Sequence, residues 1–196
     1  MTKSRDNENK SKRLAKGVSK DKKRAGIGRK RKNSIRANAG RDASRTVAHE
    51  RNVPPLIRLM GAFRAEKIRF QLIGMSAAVL QGVPVVTHDV DLWMDLPVRQ
   101  YMKPVNLAIR LGAKMVRNTI VELSDGMLVN FIFEVSGLQS FAAELSTARR
   151  LNFHGMTIPV MPLESIRRSK VAAKRPKDEV HIFYIDQTLR LKRKTE

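Results

Sequence analysis

The stretch LIGMSAAVLQGVPVVTHDVDLWMDL, residues 72–96, places a small-residue turn at residues 74–76 upstream of two aspartates, Asp89 and Asp91, that are one valine apart. A strand repeats its side-chain direction every two residues and rises about 3.3 Å per residue. Both carboxylates therefore share one face, roughly 6 to 7 Å apart between their backbones. Val90 and Leu92 then point the other way, into a core. At an effective dielectric near 20 the two charges repel by roughly 2 to 3 kcal/mol, so the pattern calls for positive charge between them.

Upstream, IRFQLIG reads as a buried strand halted by Gly74, with a helix from Ser76 to Leu80 after it. Before that, Leu56, Leu59, Met60 and Phe63 fall at helical spacing behind Asn52 as a cap and prolines suited to a first turn. Downstream, residues 96–112 read as a helix around Val105, Leu107, Ala108 and Leu111, with Pro104 starting or kinking it. AKMVRNTIVEL and MLVNFIFEV read as two strands joined by a turn at residues 124–126. A helix over residues 138–147 follows, then a hairpin turning at His154 and Gly155. LESIRRSKVAAK and PKDEVHIFYIDQTLRLKR close the chain as two helices broken at Pro176. No internal repeat is present. The order predicts an α/β (α+β) domain, a mixed sheet covered by helices.

The 196 residues suit one domain of ordinary size with a tail. Net charge is +21 and unevenly placed: residues 1–45 hold 17 Lys and Arg against four acids, the rest 22 against 14. The first segment lacks a sustained apolar period and cannot bury enough surface to offset its ordering entropy. Residues 1–50 are thus expected to be a disordered basic arm, with residues 51–196 as the folded domain. Such an arm suits RNA or DNA phosphates through counterion release. With no cysteine in the chain, disulfides, thiolate zinc sites and cysteine nucleophiles are excluded. There is neither an apolar run of membrane-spanning length nor a secretory signal, which leads to the expectation of a soluble, cytoplasmic protein without membrane contact.

Gly74, Met75 and Ser76, then Gly82, Thr87, Asp89 and Asp91, resemble the nucleotidyltransferase signature of a strand, a Gly-Ser-type turn, a short helix, a loop and Asp-hydrophobic-Asp. The segment LESIRRSKVAAKRPKDEVHI resembles one in minimal bacterial nucleotidyltransferases related to AbiE-type toxins, at Leu163, Glu164, Lys170, Ala172, Ala173, Arg175, Lys177 and Asp178. The resemblance spans roughly residues 56–191. It implies a nucleotidyltransferase-like fold with Asp89 and Asp91 as ligands of Mg²⁺, which bridges the triphosphate of a bound NTP. It further implies nucleotide binding by Gly74, Ser76, Lys170, Lys174 and Arg175, with Asp178 orienting one of these cations. The implied activity is transfer of a nucleoside monophosphate to a hydroxyl on RNA, such as a tRNA end, or on a protein, and the implied partners include an antitoxin protein.

The family's third acid, from a later strand, matches Asn130 here. An amide accepts bonds but carries no negative charge and cannot deprotonate a hydroxyl. Glu134 shares the strand parity of Asn130 but lies roughly 13 Å further along, too far for a simple exchange. Glu122 on the preceding strand is the other candidate. The family's second glycine is Met75, and Val85 stands where an arginine often precedes its threonine. The competing reading is therefore a nucleotidyltransferase-fold module that binds nucleic acid or nucleotide without turnover. His88 beside Asp89 and Trp93 on the face of the aspartates read as an exposed residue and a packing residue. His49, His88, His154 and His181 show no metal-ligand spacing.

Overall fold

The computed structural model describes residues 53–195. The basic arm expected over residues 1–50, and Asn52, lie outside the described residues. Helix α1 (Pro55–Ala65) begins after Pro54, with Pro55 in the first turn, where a missing N–H leaves no broken bond. Its residues Leu56, Leu59, Met60 and Phe63 are buried, as their spacing requires. Strand β1 (Phe70–Ile73) is buried at every position and leads directly into α2 (Gly74–Val79). Strand β2 (Asp89–Met94), a 3₁₀ turn at Val98–Gln100 and α3 (Met102–Arg110) follow. The helix expected over residues 96–112 is thus two pieces, and Pro104 sits in the first turn of the second, where the proline ring meets no preceding carbonyl.

AKMVRNTIVEL is not one strand. It forms a hairpin of β3 (Lys114–Arg117) and β4 (Ile120–Glu122), turning between the paired residues Arg117 and Ile120. The turn at residues 124–126 then leads into β5 (Leu128–Ile132). Helix α4 (Phe141–Ser146) is shorter than expected because Ser140 caps it, its Oγ accepting from the Ala143 N–H at 3.3 Å. Strands β6 (Arg149–Phe153) and β7 (Met156–Val160) form the hairpin through His154 and Gly155. Helices α5 (Leu163–Ala173) and α6 (Asp178–Thr195) complete the chain.

The strands form one mixed seven-stranded sheet in the order β3-β4-β5-β2-β1-β7-β6. β2 pairs parallel with β5 and antiparallel with β1, which in turn pairs parallel with β7. Strand parity divides the sheet into two faces. Phe70, Leu72, Leu92 and Phe131 line one, against α1, where the Phe63 ring lies 5.7 Å from Phe70 and 5.8 Å from Phe131. Asp91, Asn130 and Trp93 share the other, with the Phe141 ring of α4 packed edge-on to Trp93 at 5.4 Å. The sheet is therefore flanked by helices, and β1 and β2 bring Gly74 and the aspartates to the same end. None of the described helices is long and apolar enough to cross a membrane.

Candidate functional site

Site construction begins with the antiparallel register of β1 and β2, which sets Ile73 opposite Asp91. Gly74, the next residue, has φ +68°, and a Cβ there would collide with Asp91 Oδ2. Glycine is required twice over, by backbone conformation and by the carboxylate that occupies the side-chain space. On the other flank, the parallel register of β2 and β5 sets Asp91 opposite Asn130 and Asp89 opposite Leu128. Val90 and Leu92 are buried, while Asp89 is exposed and Asp91 half-buried.

Each aspartate has one oxygen engaged by the protein. Asp89 Oδ1 accepts from Thr87 Oγ1 at 2.9 Å and Asp91 Oδ1 accepts from Asn130 Nδ2 at 3.2 Å. Thr119 Oγ1 donates to Asn130 Oδ1 at 3.2 Å, so the amide is held at both ends with its NH₂ toward Asp91. Burial raises the Asp91 pKa, and the Asp89 charge adds to this; the Asn130 bond and the charges of Lys170 and Arg175 oppose the shift.

Two cavities of about 400 and 470 Å³ meet at Asp91, Asn130, Lys170 and Arg175. The first extends past Gly74 and Ile73 to Glu134; the second extends past Asp89 and His88 to Lys177 and His181. Both lie within the volume range of small-ligand sites. Lys170, only 6% exposed, donates to Asp178 Oδ1 at 2.8 Å and to His181 Nδ1 at 3.2 Å. Arg175 Nε donates to the other Asp178 oxygen at 2.7 Å. Burial by itself would raise the Asp178 pKa, but the hydrogen bonds and charges of Arg175 and Lys170 outweigh it and hold the carboxyl at about 2. Burial and the Lys170 charge depress the His181 pKa, partly offset by its contact with Asp178.

The sequence candidates thus fall into two groups. Gly74, Asp89, Asp91, Asn130, Lys170 and Arg175 converge on the joined cavities. Ser76 and Lys174 line neither. The Ser76 hydroxyl donates back to the Ile73 carbonyl at 3.2 Å, and Lys174 ends α5 in the left-handed conformation at φ +50°. Because of that reversal, Lys174 does not continue the helix face of Lys170. Lys177 and His181 also line the site; the cationic segment contained the first, whereas His181 carried no spacing signal at all. Glu134 borders the first cavity, whereas Glu122 stands opposite Leu128, in the row of Asp89 rather than Asp91. Among the described residues no group of three His, Asp or Glu side chains could hold a metal ion.

No family model matches the chain, and no curated protein is similar to it. Solved structures are similar in fold. The lincomycin-bound lincosamide antibiotic adenylyltransferase LnuA aligns at TM-score 0.48 and 14% identity, over 68% of this chain and 96% of that one. The antibiotic-resistance factor ANT(2'')-Ia aligns at TM-score 0.47 and 14% identity, over 68% and 80%. An antigenic nucleotidyltransferase-like protein from Paracoccidioides brasiliensis aligns at 0.46 and 19%, over 70% and 75%.

Asp89 and Asp91 are the side chains that would hold a divalent cation here. Two carboxylates of one face, each with an oxygen left over from its hydrogen bond, suffice for an ion that takes its remaining ligands from water and substrate phosphates. Asp91 Oδ2 packs against Gly74, where any side chain would collide with it, and Asp91 lines both cavities. A further ion, bridged through a third carboxylate, has no such support from the amide of Asn130.

Proposed function

We propose that the chain binds a nucleoside triphosphate with one Mg²⁺ held by Asp89 and Asp91, and transfers the nucleoside monophosphate to a hydroxyl acceptor, with RNA as the acceptor class. The observation that carries this reading is the packing of Gly74 against the Asp91 carboxylate at the junction of two cavities that also bear Asp89, Lys170 and Arg175. Lys170, Arg175 and Lys177 offset phosphate charge across the cavity, with Asp178 fixing the first two. When bound there, the metal withdraws charge from the phosphate under attack. The acceptor oxygen bonds to the α-phosphorus as pyrophosphate leaves, and its proton goes to solvent in the open cavity, because Asn130 cannot accept it. Loss of a positioned base costs about 10²–10⁴-fold in rate, so turnover is expected to be slow.

A specific bond favours a second reading: Asn130 Nδ2 donates to Asp91 where the family pattern has a third acid. In that reading nucleotide binds and no transfer follows. Incubation with labelled NTPs, Mg²⁺ and total RNA tests both, alongside Asp89→Asn and Asn130→Asp. Labelled product that Asp89→Asn abolishes establishes the transferase. Binding without product in the wild type, with product gained in Asn130→Asp, establishes the second reading. If neither binds nucleotide, both fail.

A further inference from the structure

At the other end of β1 lies a cavity of about 450 Å³ whose floor is Ile68, Phe70, Leu145 and Pro159 and whose charged lining is Arg64, Lys67, Arg69 and Arg150. All four cations are exposed, and no acidic side chain lines the cavity. The nearby carboxylates are accounted for: Asp95 pairs with Arg69, and Glu66 turns toward Arg110 at 3.6 Å. Two of the guanidinium groups are pre-positioned. Arg64 Nη2 donates to the Thr157 carbonyl, and Arg69, paired with Asp95, stands 5.8 Å over the Phe141 ring. A guanidinium has five N–H donors, so each keeps most of its fork for a further ligand. Lys67, which lines the cavity, is itself left-handed at φ +55°, two residues past the end of α1, with its N–H bonded to the Arg64 carbonyl at 3.0 Å.

Charge on an edge strand discourages edge pairing, and Arg150 of β6 serves that purpose too. Edge protection does not explain the convergence of three cations from residues 64–69 on the same cavity. The geometry points to this cleft as a second anion site, one that grips the sugar–phosphate backbone of a single-stranded nucleic acid. Arg64, Lys67 and Arg150, beside an Arg69 already paired with Asp95, stand over an apolar floor, the combination of charge and apolar surface that a phosphate backbone with its sugars and bases complements. About 10 Å of strand separates the two ends of β1, so the cleft is distinct from the Asp89–Asp91 site. Its use as an anchor for an RNA acceptor rests on the proposed transfer reaction; the binding itself does not.

The test uses the full chain, a twelve-nucleotide oligouridylate and no NTP, so a failed transferase reading leaves the result intact. Lys67→Glu with Arg150→Glu removes two phosphate contacts. We compare it with Lys114→Glu/Arg117→Glu, the same charge change on β3 at the opposite sheet edge. The cleft variant is expected to bind about tenfold more weakly at low salt, with the slope of log K against log salt reduced by about 1.4. The β3 variant should show a small fraction of either change. Equal effects from both variants would mean general attraction and overturn the cleft. So would competition by polyglutamate as strong as that by RNA at equal charge, which would make the partner an acidic protein.

Discussion

Gly74 and Gly112 share a backbone requirement and differ in surroundings. Their φ values are +68° and +93°, but a Cβ at Gly112 meets nothing within 4 Å, whereas one at Gly74 strikes Asp91. Gly112→Ala therefore incurs only the left-handed penalty, about 1 kcal/mol. Gly74→Ala incurs that and must also push the carboxylate aside. It should lower the melting temperature clearly more than Gly112→Ala, and it alone should weaken nucleotide binding. Thermal melts and titrations of both variants check this, and equal losses would show that the contact with Asp91 carries no energy. The glycine turn and the Asp-x-Asp pair were legible in the sequence because short-range spacing encodes them. The roles of Thr119 and His181 were not, since they follow from pairing across the sheet and from the return of α6.

Elements follow the same division. The amphipathic α1 and the buried β1 were readable from periodicity, which reports burial. The β3–β4 hairpin was not, because every residue of β3 is exposed and its sequence carries no alternation to mark where one strand stops. Nor could local sequence show how α5 meets α6. Their joint is Asp178, 1% exposed, clamped by Lys170 and Arg175. Its folded pKa of about 2 lies below the ordinary 3.8, so the clamp stabilises fully above pH 4 and is lost as pH falls through 2. The difference corresponds to ~2 kcal/mol. Urea midpoints measured between pH 5 and 2 should fall accordingly. Asp178→Asn should flatten that dependence while costing about 3 kcal/mol at pH 7, because the buried Lys170 charge loses its partner. An unchanged acid profile in the variant would refute the assignment. The loop before α4 docks on α5 by a comparable contact: at Gly137, φ +72°, a Cβ would strike the Ala172 Cβ. Gly137→Ala should therefore destabilise by more than the backbone penalty alone, as read from its urea midpoint against that of Gly112→Ala.

For the whole molecule, the site is a place where folding tolerates like charge. Asp89 and Asp91 project from one face, and burial together with their mutual repulsion raises the Asp91 pKa. The nearby Lys170 and Arg175 are already committed to Asp178. In the proposed function a divalent cation would relieve the repulsion but need further oxygens, which a triphosphate would supply while gaining the cationic wall. Ligands that complete each other in this way stabilise the native state cooperatively. Mg²⁺ alone and NTP alone should each move the melting temperature little. Together, at a hundred times their joint dissociation constant, they should add about 2.7 kcal/mol. For a domain of this size that is roughly 5–10 °C. Asp89→Asn and Asp91→Asn should each remove the joint shift while raising the melting temperature of the free protein slightly, since one of two repelling charges is gone. A full shift from NTP without Mg²⁺, retained in both variants, would mean that Lys170, Arg175 and Lys177 alone hold the phosphates and that the aspartates hold no metal.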